Sequence, residues 1–575
     1  MFSLNYTKSR SFDFSTLGRT EEDYDPMDVT NTQFYNPMYS LFFDLNEDNY
    51  NRIELNHTFH IYNKDYIISN QSKKKTSSVF IKYSPLLDPV HFLIGKYKED
   101  EYHNIQTLPT LSNGDICHKK MFHVNNASYV DNFFNYLSSQ MLHTHKVCHG
   151  IDYYGSNLAI QKKFRFDTYD EIDYLKDSAD FLRNNGITYE LQEMDGKVGS
   201  NSKNTQSKRQ KINIHSEQIE IDGILEYMDD EDTVNIALED SSEIIYEYTK
   251  SDTKSIDDSD NESDVCNTSD EDKCTPKKRN SNHPHEDDDD DEDDEDDDED
   301  DDEDDEDDDD DDDDDEDEDD DDEGEKLNAY LFNFPVQMIA LEKCDGTFDE
   351  LLEEGLLSEK ELASSLIQVI FTLIIYQKSF QFTHNDLHTN NIMYKNTSQK
   401  YVFYTFNKKH YKVPTFGRIM KVIDFGRSMY RFKDKLLCSD SFEEGGDAHG
   451  QYNTEPYLDT NKPRLEANMS FDLCRLGCSM YDFLFDSEKP PPTVMNPVQE
   501  TVFRWCQDDY GKNILYKRTG EERYPNFKLY KMISRLVHKH IPEKQLEFPF
   551  FSQFEICNER NKNTINIDEI PKYYS

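Results

Sequence analysis

From His57 onward, apolar and polar residues are grouped in short β-rich runs, "HTFHIY", "DYIIS" and "SSVFIKY". Asn, Lys and Ser turns separate them, the texture of consecutive antiparallel strands. The period then changes. Between Ala127 and Leu142, Val130, Phe133, Phe134 and Leu137 fall at i, i+3, i+4 and i+7, which predicts an amphipathic helix capped by Asn126. "IDYYGSNLAIQKKFRF" returns to strand texture, and from about residue 166 to 327 the chain is polar and rich in Ser and acids. "FPVQMIALEKC" reads as a buried strand. Ser358 and Glu361 give a capping-box signature for a helix carrying Leu362, Leu366, Val369, Ile370 and Leu373 to about Lys378. Beyond "FTHNDLHTNNIMY" come another strand pair, an irregular stretch from about 427 to 468, and helical segments. Sheet, helix, sheet and then helices predict an α+β fold.

Charge alters this picture in one place. The 575 residues hold 62 Lys plus Arg against 120 Asp plus Glu, a net charge of −58. Residues 286–323 are all Asp or Glu, so this run carries 38 of the charges and leaves −20 on the other 537 residues. Such a block cannot bury apolar surface, so it is expected to be disordered and solvated. It argues against direct nucleic-acid or anionic-membrane binding, which need a basic footprint, and for a basic partner. The 36 Phe and 36 Tyr suffice for a substantial core. "MFSLNYTKSRSFDF" lacks the apolar region of a secretory signal, and Leu366–Tyr376, interrupted by Gln368 and Thr372, is too short to span a bilayer. A soluble, intracellular protein is the expectation. Ten cysteines without a C-x-x-C pair read as reduced thiols. His143, His145, Cys148 and His149 have zinc chemistry but no second ligand pair at regular spacing, and are expected to be scattered side chains.

The candidate chemistry lies after the acidic run. His384-Asn385-Asp386-Leu387-His388-Thr389-Asn390-Asn391 matches the catalytic-loop pattern H-x-D-x-x-x-x-N. Asp424-Phe425-Gly426 closes the strand "IMKVID", and Asp472 with Gly477 gives D-x-x-x-x-G at a helix start. Together these motifs resemble the eukaryotic-type protein kinase superfamily, and "VFIKYSPLLDP", "THNDLHTNNIMY" and "SFDLCRLGCSMYDF" are similar in texture to the divergent serine/threonine kinases of giant DNA viruses. A viral origin would imply host cytoplasm or virion. The resemblance covers roughly residues 50–165 and 328–560, and it implies a two-lobed fold with a small antiparallel-sheet N-lobe and a mainly helical C-lobe.

It also implies roles. Asp386 would orient and deprotonate the substrate hydroxyl with His388 beside it, and Asn391 and Asp424 would hold Mg2+ on ATP. Asp472 would brace the catalytic-loop backbone, with His384, Phe425 and Gly426 as structural support. Lys82, last residue of "VFIK", is the candidate phosphate lysine. Lys343, Lys360 and Lys378 fall at a strand end or on later helices, so such a lysine precedes the acidic run. Leu341 aligns with the gatekeeper, and Glu342 to Cys344 with the hinge that hydrogen-bonds adenine.

Five departures stand out. No glycine lies between Gly18 and Gly95, so the turn covering the phosphates is a different one, with "NQSKKKTSS" as the candidate. The predicted helix 127–142 has no Glu for Lys82, leaving Asp131, Gln140, Glu99 and Glu101 as alternatives. Asn385 replaces the usual Arg before the catalytic Asp, which predicts activity without activation-loop phosphorylation at Ser439 or Ser441. His388 replaces the usual Lys, as in haspin-like and aminoglycoside-phosphotransferase-like kinases, and predicts pH sensitivity near neutrality. Asp386 and Asp424 are also 38 residues apart, which predicts an enlarged hairpin around Tyr401–Tyr411.

The organisation expected is an irregular extension over 1–45, N-lobe over 46–165, insertion over 166–327, last N-lobe strand and hinge over 328–345, C-lobe over 346–560 and tail over 561–575. The function expected is an ATP- and Mg2+-dependent serine/threonine-type protein kinase. A pseudokinase or nucleotide-binding scaffold is the alternative, and a small-molecule phosphotransferase the third.

Overall fold

The computed structural model describes residues 2–8, 24–69, 72–97, 104–169, 171–192, 327–485, 491–557 and 563–574. The acidic run, Glu99 and Glu101 lie outside them. The described chain is a mixed α+β fold of several small antiparallel sheets and helices, sharing one large apolar core.

Strands β1 (Val29–Gln33), β2 (Phe59–Asn63), β3 (Tyr66–Ser69), β4 (Lys74–Thr76) and β5 (Val79–Pro85) precede helix α1 (Ala127–His145). Strands β6 (Tyr153–Asp167), β7 (Tyr189–Leu191) and β8 (Asn328–Glu342) follow. The main sheet has the order β1-β6-β8-β5, with β7 also pairing β8. Its centre is the antiparallel pair β6 and β8, running from Asn328 opposite Asp167 to Leu341 opposite Tyr153, with a register shift between Ala340 and Leu341. The polar segment after 166 is therefore structured at its start. Short helices Ile172–Lys176 and Ala179–Asn184 bury Leu175 and Phe181 before β7. The N-terminal extension also has order: β1 is an edge strand on β6, and Tyr6–Lys8 pairs with Ile53–Leu55.

Side chains alternate across a strand, so β5 has two distinct faces. Lys82 lies opposite Ile339 and Phe80 opposite Leu341 on one face, while Ile81 lies opposite Ala340 and Val79 opposite Glu342 on the other. The small sheet β2-β3-β4 packs on the second face, through Ile67 against Tyr154 and Ala340, with Phe59, Ile61, Val79 and Ile81 around them. The described part of "NQSKKKTSS", residues 72–78, contains β4 of this sheet, whose Ile67 packs on the face away from Lys82.

Beyond β8, helix α2 (Glu359–Phe380) opens with the predicted capping box, Ser358 and Glu361 each satisfying the other's backbone N–H, worth about 1 kcal/mol. This 22-residue helix is long and apolar enough to cross a membrane by composition, and 89% of its apolar window is buried in the fold. Gln368 does not interrupt it, because its Oε1 accepts from Met420 N–H at 3.0 Å. Strands β9 (Ile392–Asn396), β10 (Tyr401–Phe406), β11 (Lys409–Pro414) and β12 (Arg418–Val422) follow. The hairpin β10/β11 is the enlargement expected, stacking Tyr404 on Phe371 of α2 at 4.0 Å. Segments 555–556 and 565–566 extend it on both sides, so part of the expected tail is built into the fold. Helices α3 (Phe471–Leu484) and α4 (Lys528–Leu536) flank the catalytic-loop segment.

Candidate active site

β5 presents Lys82 and α1 presents Asp131. Lys82 Nζ donates to Asp131 Oδ2 at 2.8 Å and to Asp424 Oδ1 at 2.9 Å. Asp131 is fully buried, and its Oδ1 accepts from Phe425 N–H at 2.8 Å and Asn135 Nδ2 at 3.0 Å. One carboxylate thus ties the strand lysine to the backbone after Asp424, and α1 sits close enough for Asp to do what a longer Glu would do. Of the other partners considered, Gln140 instead donates to Asn56 O. Burial works against the charge on Lys82, but Asp131 and Asp424 outweigh it and raise its pKa. Burial likewise works to raise that of Asp424, yet Lys82 prevails and lowers it to about 2, whereas for Asp131 burial prevails and the pKa rises. The Asp424 side chain remains 47% exposed.

Phe425 is buried between Phe134 of α1, 4.6 Å away, and Phe382. A Cβ on Gly426 would lie 3.5 Å from Asp424 Oδ1. Asp424 and Asn385 are both left-handed, with φ of 62° and 63°, an uncommon state for residues with side chains. Their surroundings hold them there. Asp472, at the start of α3, accepts from His384 N–H at 3.0 Å and Asn385 N–H at 2.9 Å, and Asn385 Oδ1 accepts from the Tyr452 hydroxyl. His384 Nε2 bonds Ile423 O at 2.8 Å, linking the catalytic loop to the Asp424 segment.

Asn391 Nδ2 donates to Asp386 O at 2.9 Å and to His388 Nε2 at 3.0 Å. Burial lowers the His388 pKa below its ordinary 6.5, with Asp386 partly opposing. Asp386 also has partners outside the loop. Tyr530 of α4 donates its hydroxyl to Asp386 Oδ1 at 2.7 Å, and Arg427 and Arg475 lie 3.6 and 4.0 Å from the carboxylate. Burial would raise the Asp386 pKa, but the two guanidinium groups lower it overall. Both also flank the Tyr530 ring, at 5.6 and 5.1 Å.

At the end of β8, Leu341 is buried on the Lys82 side, and the Glu342 carboxylate accepts from Lys421 Nζ and Asp152 N–H, each at 2.9 Å. The amides of Glu342 and Lys343 donate to Asp152 O and Ser78 O. Cys344 is buried beside them.

Similarity to known proteins is confined to part of the chain. No family model matches. Mouse serine/threonine-protein kinase haspin is 33% identical over 110 residues, 19% of this chain and 15% of haspin. Bovine haspin is 36% identical over 88 residues, 15% and 11% of the two chains. A protein of Acanthamoeba polyphaga mimivirus named as a serine/threonine-protein kinase is 34% identical over 110 residues, 16% and 28%. The matched part of the chain is similar to serine/threonine protein kinases. The matched stretch covers less than a third of each relative's length.

Several contacts lie beyond what the motifs announce. Arg475 follows Asp472 by three residues on α3, so helical spacing alone places both toward the catalytic loop. Arg427 is adjacent to Gly426, whereas Tyr530 has no local signature, because α4 reaches the site only through the fold. Ser439 and Ser441 are buried in a short turn, Ser439 Oγ donating to Ser441 Oγ. Between them, Asp440 accepts from Ala127 N–H at 2.8 Å at the start of α1 and lies 3.5 Å from Lys120. In the 143–149 group, Cys148 Sγ lies 3.8 Å from His149 Nε2, and the histidines each bond other partners. His143 bonds Asp152, His145 the Tyr573 hydroxyl, and His149 Met420 O and the Tyr404 hydroxyl. All eight described cysteines are free.

Proposed function

We propose that the chain is an ATP- and Mg2+-dependent serine/threonine-type protein kinase with a two-lobed, kinase-like layout. The observation that carries this reading is the Lys82–Asp131–Asp424 arrangement at 2.8 and 2.9 Å, because it joins a strand, a helix and the D-F-G segment that are far apart in sequence. Phosphoryl transfer asks a protein mainly for positioning and charge neutralisation. Lys82 would meet the α- and β-phosphates. Asn391 commits its amide N–H groups to Asp386 O and His388, so its oxygen faces away from them, and with the Asp424 carboxylate it forms an oxygen donor pair suited to Mg2+. Such an ion would neutralise phosphate charge. Asp386 is the base that orients and deprotonates the acceptor hydroxyl. Adenine would meet the backbone at Cys344, since the Glu342 and Lys343 amides already have carbonyl partners.

A nucleotide-binding scaffold without transfer is the second reading, favoured by one observation: the β2-β3-β4 sheet lies on the face away from Lys82. Incubating the full chain with labelled ATP, Mg2+ and a mixture of basic proteins separates the two. Transfer that falls by on the order of 10²- to 10⁴-fold in Asp386→Asn is expected for the kinase. ATP binding without any transfer by the wild type would favour the scaffold.

A further inference from the structure

We propose that Glu54, His57 and His60 form a transition-metal site, best matched to Zn2+, on the segment leading into β2. One donor atom from each lies within 4.8 Å of the other two. His60 Nδ1 and Glu54 Oε1 are 2.7 Å apart, and the two imidazole rings are 4.3 Å apart at a 51° tilt. Donors around a tetrahedral zinc stand roughly 3.3–3.5 Å from one another, given metal–ligand distances of about 2.0–2.2 Å.

Three features distinguish this cluster from a chance pairing of surface groups. The spacing E-x-x-H-x-x-H gathers three donors within seven residues, from the strand Ile53–Leu55 across the turn at His57 into β2. His57 is only 1% exposed, while the His60 and Glu54 side chains are 19% and 24% exposed, so the group is anchored in the core and open to solvent on one side. Its backbone is also held: Asn56 Oδ1 accepts from the Tyr136 hydroxyl at 2.9 Å, and Asn56 O from Gln140 Nε2. Gly155, at φ +124°, faces His57 Nε2, and a Cβ there would come within 3.7 Å of it. Two imidazoles and a carboxylate suit a borderline ion such as Zn2+ better than Mg2+ or Ca2+, with water as fourth ligand. An ion here would rigidify the segment 54–60, whose Asn56 is bound to α1, the helix that carries Asp131.

The test uses the full chain, stripped with EDTA and titrated with Zn2+ by calorimetry, then with Co2+ while visible absorption is followed. One equivalent of Zn2+, a zinc-dependent rise in melting temperature, and intense four- or five-coordinate Co2+ bands are expected. Carboxylates of the acidic run give no such bands. His60→Ala and Glu54→Gln alter partly exposed side chains. Each should lose the bands, the temperature rise, and more affinity than the roughly 10- to 100-fold that an outer-shell partner costs, while melting like zinc-free wild type. A wild type without these bands, or variants that keep them, would overturn the proposal.

Discussion

The Tyr530 hydroxyl donates to Oδ1 of Asp386 at 2.7 Å, from a helix 144 residues further along the chain. In the proposed kinase, this oxygen is one that an acceptor hydroxyl would use. Tyr530→Phe keeps the ring between Arg427 and Arg475 and frees the oxygen, so kcat/KM for a protein acceptor should rise several-fold. Steady-state assays on both proteins check this. A fall would instead mean that the hydroxyl orients the base.

Asp131 is a buried anion with three donors, and removing one partner of such a pair costs about 3–5 kcal/mol. Asp131→Ala should therefore lower the melting temperature and weaken ATP binding together. Asp131→Glu, matching the usual kinase residue, should retain part of both. Calorimetric unfolding and nucleotide titration provide the readouts.

Asp440 gives α1 a fixed carboxylate at its N-terminus, where a negative charge is favourable. The double variant Ser439→Ala, Ser441→Ala should keep turnover within about twofold, whereas Asp440→Ala should reduce it by releasing the end of the helix that bears Asp131. Loss of turnover in the double serine variant would show that phosphorylation is required.

The pH profile should be flat through neutrality. Burial lowers the His388 pKa, so the imidazole stays neutral there, and protonation at Nε2 would set an N–H against the Asn391 amide donor. The stabilising contribution of this neutral state is present above the unfolded value of about 6.5 and is lost as pH falls through the lower folded pKa. An acid limb below about 6.5 that disappears in His388→Gln is the expected profile. This replaces the sensitivity near neutrality that the bare residue type implied.

Deleting residues 286–323 should reduce preference for basic over neutral protein acceptors, measured as a ratio of kcat/KM values. It should leave ATP affinity unchanged. An unchanged ratio would make the run a solvated spacer.

Much of the fold was legible because its signals are local. Val130, Phe133, Phe134 and Leu137 marked α1, Ser358 and Glu361 marked the start of α2, and Lys82 followed a recognisable strand pattern. What was not legible depends on long-range geometry. Which acid meets Lys82 depends on how closely α1 docks, the reach of Tyr530 on where α4 lies, and the placement of "NQSKKKTSS" on which face of β5 the small sheet covers. Glu54, His57 and His60 carry no signal in the sequence for a different reason. Their spacing lacks the paired-ligand rhythm of familiar zinc motifs, and the nearby His143–His149 group has richer composition without convergence.

β6 and β8 are neighbours along their whole length, although Asp167 and Asn328 are separated by all of residues 168–327. In folding terms they form a hairpin whose turn can be opened without breaking a ladder bond. A chain cut there yields two pieces joined along β8 by strands β5, β6 and β7 and by α1 against Phe425. Co-expressed as fragments ending at 192 and starting at 327, they should reassemble, which makes this seam the natural place to split the protein or graft cargo onto it.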